Sequence, residues 1–202
     1  MLYFPAYLAL FFWAERVERE DYYLSHCFLD DWIPLAPQFV YVYVLWYPLM
    51  LGMALYLLYA RRDAFCRYAR AVILGLTLSI AIFFLFPSAQ ALRPEVLPDT
   101  GRSAALLKMI YAADTNTNVL PSMHVVGTLA AMAAAFDGAR TSKPALGRAA
   151  RWGVLALGLL INASTVLIKQ HSALDVFAGV ALFAPIYLAI YILPARRRRK
   201  SK

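Results

Sequence analysis

Runs of apolar residues, most of them close to the length that crosses a lipid bilayer, recur along this sequence. They occupy residues 1–14, 38–60, 70–86, 121–136, 152–168 and 172–193. About 20 consecutive apolar residues are needed to cross the hydrocarbon core, where only helices and closed barrels satisfy the backbone polar groups. The runs therefore predict an all-α fold, a bundle of six transmembrane helices that forms one polytopic membrane domain over residues 1–202.

The composition excludes an ordinary soluble domain. Of the 202 residues, 62% are hydrophobic and 16% are charged, whereas soluble domains are roughly 45–50% apolar and about 25% charged. The formal net charge is +8, but no aromatic-basic surface motif accompanies it, so nucleic acid is not an expected partner. The two cysteines, Cys27 and Cys66, are predicted to lie on opposite sides of the membrane, so no disulfide is expected between them.

The distribution of basic residues predicts which loops are cytoplasmic. The loop after the second span, the loop after the fourth span and the C-terminal tail hold 14 of the 20 Lys and Arg residues but only 2 of the 12 Asp and Glu residues. Because cytoplasmic loops carry the excess of Lys and Arg, both termini are predicted to be cytoplasmic, in what we expect to be a bacterial inner membrane. The connection 87–120, the start of the fourth span and the segment 169–175 then share the outer face.

The connection at 87–120 is long for a compact protein, and such loops are usually functional or contain a helix of their own. Residues 103–112 (SAALLKMIYA) are predicted to form that helix along the membrane interface. In the other long outer loop, residues 15–37, most of the charged residues are acidic. This loop contains His26, to which we assign no role.

A polar patch at residues 169–175 (KQHSALD) separates the last two apolar runs. On a helix His171 and Asp175 would share a face, and a carboxylate beside an imidazole fixes its tautomer and raises its basicity. The alternative is a local pairing at a helix start without chemistry. The charge distribution brings Arg93 and His124 to the same membrane face, and ionisable groups at membrane depth are functional candidates by default.

Two histidines, a carboxylate and an arginine fit phosphoryl transfer. One imidazole can attack phosphorus while a second protonates the leaving alkoxide. A guanidinium matches phosphate oxygens in a bidentate manner. Ser122 and the N–H groups at the start of the fourth span would face the phosphate.

Three ordered motifs carry a resemblance to a known family. The segments are FPSAQALRP, which contains Arg93; PSMH, which contains Ser122 and His124; and STVLIKQHSALD, which runs from Ser164 to Asp175. They resemble the three motifs of the type 2 phosphatidic acid phosphatase superfamily, which read Lys-x6-Arg-Pro, Pro-Ser-Gly-His and Ser-Arg-x5-His-x3-Asp. By motif the resemblance covers about residues 86–180.

The resemblance implies roles for these residues. His171 would be the nucleophile that forms a phosphohistidine, Asp175 would orient it, and His124 would be the general acid. The family works without metal, so neither a metal nor another cofactor is expected. The expected partners are a lipid phosphate substrate and membrane lipids, and protein partners are not predicted. The residues implied to bind the substrate phosphate are Arg93, Ser122 and Ser164.

The motifs depart from the family pattern at three positions. Phe86 replaces the Lys of the first motif, Met123 the Gly of the second and Thr165 the Arg of the third. Two phosphate-binding cations are therefore missing, and Lys169, two residues before His171, is a candidate replacement. A Ser-Thr third motif with Pro-Ser-x-His is similar to the branch that contains inositol phosphorylceramide synthases, which transfer a phosphoryl headgroup to an alcohol.

Four functions stay open on the sequence. The leading prediction is a membrane phosphatase that hydrolyses a phosphomonoester or pyrophosphate lipid at the outer face. The second is a phospholipid headgroup transferase with the same His171 intermediate. The third is a transporter with a His/Asp proton relay, against which no inverted repeat is visible. The fourth is a metal site formed by His124, His171 and Asp175, against which the motif match argues.

Overall fold

The protein is mostly helical, as predicted, and a computed structural model describes residues 3–17, 19–97, 101–138 and 144–194. Two pairs of residues form short strands, which the sequence analysis did not predict. The elements in chain order are α1 (Tyr3–Arg16), β1 (Tyr23–Leu24), α2 (Phe28–Trp32), a 3-10 turn (Pro37–Phe39), α3 (Val40–Tyr43), α4 (Trp46–Ala60), α5 (Arg62–Leu85), β2 (Ser88–Ala89), α6 (Arg102–Ala113), α7 (Met123–Ala135), α8 (Arg148–Leu167) and α9 (Ala173–Tyr187), which continues as a π-helical turn (Leu188–Ile192).

Within the described residues, four helical stretches are long and apolar enough to cross a membrane: Pro37–Ala60, Arg62–Leu85, Arg148–Leu167 and Ala173–Ile192. They correspond to the second, third, fifth and sixth predicted spans. The helices at the other two positions, α1 and α7, have 14 and 13 residues, which is about 20 Å at 1.5 Å per residue. This is less than the ~30 Å hydrocarbon core, so the six-span arrangement stays a prediction.

The third span begins earlier than predicted. Helix α5 starts at Arg62 and not near residue 70, so Arg61 alone separates it from α4. The basic residues assigned to a cytoplasmic loop therefore lie on the first turns of α5. The 24 residues of α5 extend about 36 Å, which is long enough for its basic end to reach the membrane interface. The helix predicted within the connection 87–120 is present as α6, at Arg102–Ala113, and its position along the membrane interface stays a prediction.

Helix α7 is the centre of the bundle. It packs against α4, α5, α8 and α9, and most of its residues are buried. Its five Ala residues and one Gly let neighbouring helices approach closely, as is common in membrane proteins. At Gly127 the Trp46 indole packs directly against the backbone of α7. A Cβ atom at this position would lie only 2.9 Å from the indole.

A small cap of three chain segments covers one end of the bundle. Strands β1 and β2 are parallel, and Ala89 forms an isolated antiparallel bridge with Thr117. The N–H of Ser25 donates to the carbonyl oxygen of Ala89 at 2.8 Å. The hydroxyl of Ser88 accepts from the N–H of Leu120 at 3.0 Å. The cap therefore joins the segment after α1, the loop of the first motif and the residues that precede the second motif.

The opposite end of the bundle carries a buried ion pair. Arg67 Nε donates to Asp137 Oδ2 at 2.5 Å, and the Asp137 side chain is only 1% exposed. Charges at this depth persist when they are paired, so the pair holds the end of α7 against the start of α5. Of the other basic residues predicted to be cytoplasmic, Arg140, Lys143 and those of the tail, Arg196–Lys200, lie outside the described residues.

We expect this ion-paired end to face the cytoplasm, because it carries the basic residues. The test uses a chain in which Cys27 and Cys66 are replaced by Ser and one new cysteine is introduced. Gly147→Cys marks the ion-paired end, where a Cβ atom meets nothing within 4 Å, and His26→Cys marks the cap, where the side chain is 48% exposed. In intact cells an impermeant maleimide should label only His26→Cys. Labelling of Gly147→Cys without permeabilisation would refute the orientation.

Candidate active site

Helix α9 begins with a capping box formed by the third motif. Ser172 is the N-cap residue, and its hydroxyl accepts from the N–H of Leu174 at 3.1 Å. The Asp175 carboxylate accepts from the N–H of Ser172 at 2.8 Å, and the S-x-x-D spacing is typical of this motif. His171 therefore lies just before the helix and not on its face, while Asp175 lies in the first turn. The helix-start pairing considered as an alternative is present.

The buried imidazole of His171 is held at one nitrogen. Nδ1 lies 3.1 Å from the carbonyl oxygen of Val119 and 3.4 Å from Asp175 Oδ2. Because a carbonyl oxygen can only accept, Nδ1 must carry the proton in this arrangement. The neutral ring then has its lone pair on Nε2, which is the form that attacks an electrophile. Asp175 is close to the ring, but the closer contact is a backbone carbonyl.

The start of α7 is tied to the start of α9 through the backbone. The N–H of Ser122 donates to the carbonyl oxygen of Asp175 at 3.1 Å. Gly179 permits this approach, because a Cβ atom there would lie 3.1 Å from the carbonyl oxygen of Ser122 and 3.0 Å from Val125 Cβ. The contact brings the second motif directly beside the third.

His124 lies in an aromatic enclosure next to His171. The two imidazole centroids are 5.8 Å apart, and the rings of Tyr43 and Trp46 lie 4.5 and 4.9 Å from that of His124. His124 Nε2 and the Ser122 hydroxyl are buried and have no hydrogen-bond partner among the described residues. Buried polar atoms are normally paired, so these two atoms are available to the oxygens of a substrate.

The guanidinium of Arg93 is held by a loop that follows α6. Nη2 donates to the carbonyl oxygens of Asp114 and Thr115 at 2.9 and 2.6 Å, and to Gln170 Oε1 at 2.9 Å. Gln170 Nε2 donates in turn to Asp114 Oδ2 at 2.6 Å. Arg93 is thus linked to the residue that precedes His171. Its Nε is buried and unpaired within the described part of the chain.

Two residues that the sequence analysis assigned to phosphate binding make structural contacts. The ammonium group of Lys169 is buried against the carbonyl oxygens of Asp30 and Ile33, at 2.9 and 2.6 Å. The hydroxyl of Ser164 donates to the carbonyl oxygen of Ile161, one turn back in its own helix, at 2.6 Å. These contacts account for both side chains without a phosphate, and our proposal below does not use them as ligands.

We expect Lys169→Met to lower stability and to leave substrate affinity unchanged. The substitution keeps the aliphatic stem but leaves two carbonyl oxygens without their donor, at a cost of about 1–3 kcal/mol. Thermal unfolding in detergent and KM for a lipid phosphate would measure the two effects. Lys108→Met is a matched control, because Lys108 is exposed on α6. A raised KM with unchanged stability would return Lys169 to the phosphate site.

Several residues that shape the site were not predicted from the sequence. Val119 acts through its carbonyl oxygen, a group that every residue has, so the sequence holds no signal for it. Tyr43 encloses His124 from a distant helix. Ser25 and Asp30 contact Asp175 and Ser172, respectively, from a loop to which no role was assigned; the acidic character of that loop was the only available signal.

A metal site finds no support in the geometry. In the part of the chain that the structure describes, no group of three or more His, Cys, Asp or Glu side chains is arranged to hold a metal ion. The arrangement instead combines the His171 imidazole, a second imidazole and a hydroxyl that have no hydrogen-bond partner in the described part of the chain, and a helix start. Such a set can donate to, and attack, a tetrahedral anion.

Comparison with known proteins gives one result. A family model described as the PAP2 superfamily matches residues 4–189, which includes all three motifs and every residue of the site. No curated protein and no solved structure matches the chain.

Proposed function

The chain belongs to the PAP2 superfamily, and from that premise we propose that it is a lipid-phosphate phosphatase that works at the outer face of the membrane through a phosphohistidine. Members of the superfamily are generally phosphatases or phosphotransferases. The four long apolar helices and the family together indicate an integral membrane protein. The lipid substrate, the covalent intermediate, the orientation and the bacterial inner membrane as location belong to the proposal.

One observation carries the proposal: two imidazoles meet edge to face, close to a hydroxyl that has no partner among the described residues. The centroids of His124 and His171 are 5.8 Å apart, and both His124 Nε2 and Ser122 Oγ are buried without partners among the residues described. No hydrogen bond from the described part of the fold uses these atoms. A phosphoryl group between the two rings would use both, since it offers several acceptor oxygens and one electrophilic centre.

The proposed reaction has two steps. His171 Nε2 attacks phosphorus and the bond from phosphorus to the leaving oxygen breaks. His124, which is protonated in the substrate complex because the negative phosphate supplies its counter-charge, gives its proton to that oxygen. His124, now neutral, takes a proton from water, which attacks phosphorus and breaks the bond to His171. Inorganic phosphate leaves and both imidazoles return to their starting forms. Asp175 and the Val119 carbonyl stabilise the positive charge that develops on His171.

The phosphate oxygens would be bound by few charged groups. The N-terminal N–H groups of α7 and the hydroxyl of its N-cap, Ser122, form a site that favours anions. Arg93 is the remaining cation of the family motifs, and its Nε, which has no partner among the described residues, is the atom it offers to a phosphate oxygen. The positions of the two missing cations hold Phe86, whose ring packs on Tyr23 at 5.2 Å, and Thr165, whose hydroxyl donates to its own helix at 2.8 Å.

The second candidate is transfer of the phosphoryl headgroup to an alcohol. The replacement of two family cations by Phe86 and Thr165 favours it, since the branch similar to inositol phosphorylceramide synthases has related motifs. Water and an alcohol would compete for the same intermediate on His171.

The test uses purified protein with a panel of lipid phosphates and lipid pyrophosphates, with and without candidate acceptor alcohols, in the presence of EDTA. Products are identified by mass spectrometry, and His171→Ala protein prepared in parallel is the control. Release of inorganic phosphate without an acceptor supports the phosphatase. Product that forms only with an alcohol supports the transferase. Wild-type protein that gives neither product would contradict both candidates.

A further inference from the structure

Ser25 is a buried hydroxyl that contacts the catalytic carboxylate from outside the three motifs. The residue is 1% exposed, and its Oγ donates to Asp175 Oδ1 in a short hydrogen bond. Its backbone is fixed because the N–H of Ser25 extends the β1–β2 pairing to Ala89 at 2.8 Å. The hydroxyl is therefore delivered by a rigid segment and not by a free loop.

The two oxygens of Asp175 have different partners. Oδ2 accepts from the N–H of Ser172 at 2.8 Å and lies 3.4 Å from His171 Nδ1. Oδ1 accepts a hydrogen bond from the Ser25 hydroxyl. A carboxylate that is held at only one oxygen can rotate about its terminal torsion, which has broad minima. The Ser25 contact fixes this torsion and keeps Oδ2 directed to the imidazole.

The same segment also fixes the start of α9. Asp30 Oδ1 accepts from the N–H of Ala173 at 2.8 Å, and Oδ2 accepts from the Ser172 hydroxyl at 2.5 Å. Burial alone would raise the pKa of Asp30, but the hydrogen bonds from Ser172, Ala173 and Cys27 outweigh it and lower the pKa below its ordinary value. Asp30 is thus ionised and anchors the segment that carries Ser25.

We propose that Ser25 is a positioning residue of the active site, which acts through Asp175 on the orientation of His171. The inference rests on the proposed function, in which His171 is the nucleophile. It adds to the three motifs a fourth segment, residues 25–30, whose task is to hold the His171–Asp175 pair.

Ser25→Ala should lower kcat about 10- to 100-fold, the effect of losing a hydrogen bond to a charged group, with KM nearly unchanged. Ser25→Thr keeps the hydroxyl and should restore most of kcat. Ser25→Cys keeps the volume but has only a weak donor, so it should share the loss of kcat even if the alanine variant unfolds in detergent. Ser79→Ala is the matched control, since Ser79 is also buried but donates to Gly75 in α5 at 3.0 Å.

The decisive measurement is the rate of phosphoenzyme formation in a double-mutant cycle with Asp175→Ala. If Ser25 acts through Asp175, the double variant Ser25→Ala/Asp175→Ala should be no slower than Asp175→Ala alone. Multiplied losses would overturn the inference, as would full kcat in both Ser25→Ala and Ser25→Cys.

The two proposals fail in different ways. If His171→Ala and Asp175→Ala keep full activity, the proposed function is wrong and the role of Ser25 falls with it. If those two variants lose activity while the Ser25 variants keep theirs, only the role of Ser25 is wrong.

Discussion

Replacing His171 by alanine should abolish phosphoryl transfer and leave the fold intact. In the proposed reaction the alanine variant has no nucleophile, and such a loss typically costs on the order of 10⁴-fold or more in turnover. Rapid quench with ³²P-labelled lipid, under conditions that preserve the acid-labile phosphoramidate, should trap labelled wild-type protein and no labelled variant.

His171→Asn is the matched control for this experiment. Its side-chain amide can still donate to the carbonyl oxygen of Val119, which His171 Nδ1 contacts at 3.1 Å, but it lacks the nitrogen that attacks. We expect the Asn variant to unfold at the wild-type temperature and to be as inactive as the Ala variant. Full activity in either variant would remove His171 from the site. Wild-type turnover without labelled protein would favour direct attack by water.

Replacing His124 by alanine should have an effect that depends on the leaving group. The proposed task of His124 is to protonate the departing oxygen, and general acid catalysis contributes roughly 10²–10⁴-fold. A lipid phosphate with an alkoxide leaving group should lose this full factor, whereas an activated aryl phosphate needs little protonation and should lose much less. Rates of phosphoenzyme formation with the two substrates give the comparison.

Tyr43→Phe is the control for disturbance of the His124 enclosure. It keeps the ring that lies 4.5 Å from the imidazole and removes only a hydroxyl with a long, 3.5 Å contact to Asp114. This variant should treat both substrates nearly as the wild type does. Equal losses on the two substrates in His124→Ala would show that His124 is not the acid.

The features that depend on local pattern were predictable from the sequence. Apolar runs predicted the long helices, and the short interfacial helix at Arg102–Ala113 was expected near its observed bounds. The family was indicated by three motifs and is confirmed by the match over residues 4–189. Helix ends were less predictable: α5 begins at Arg62, inside a stretch that reads as a loop, and among its first residues only Asp63 is of the type that a helix start favours.

The features that depend on distant contacts were not predictable. Lys169 looks like a phosphate ligand by residue type. Its ammonium group instead donates to the carbonyl oxygens of Asp30 and Ile33, from a backbone with a φ of 55°. Val119 acts through a backbone atom. No periodicity or spacing within a single sequence connects Ser25 with Asp175, which lie 150 residues apart.

The contact between Ser25 and Asp175 also sets an order of events during biosynthesis. The two residues are separated by 150 positions, and a ribosome adds about 5–20 residues per second, so Ser25 leaves the ribosome roughly 8–30 s before its acceptor. During that interval Ser25 and Asp30 have neither Asp175 nor the start of α9 to bind. The nascent protein therefore completes the contacts around the His171–Asp175 pair only after α9 has been synthesised, and the loop that carries Ser25 waits for α9 before it is fixed.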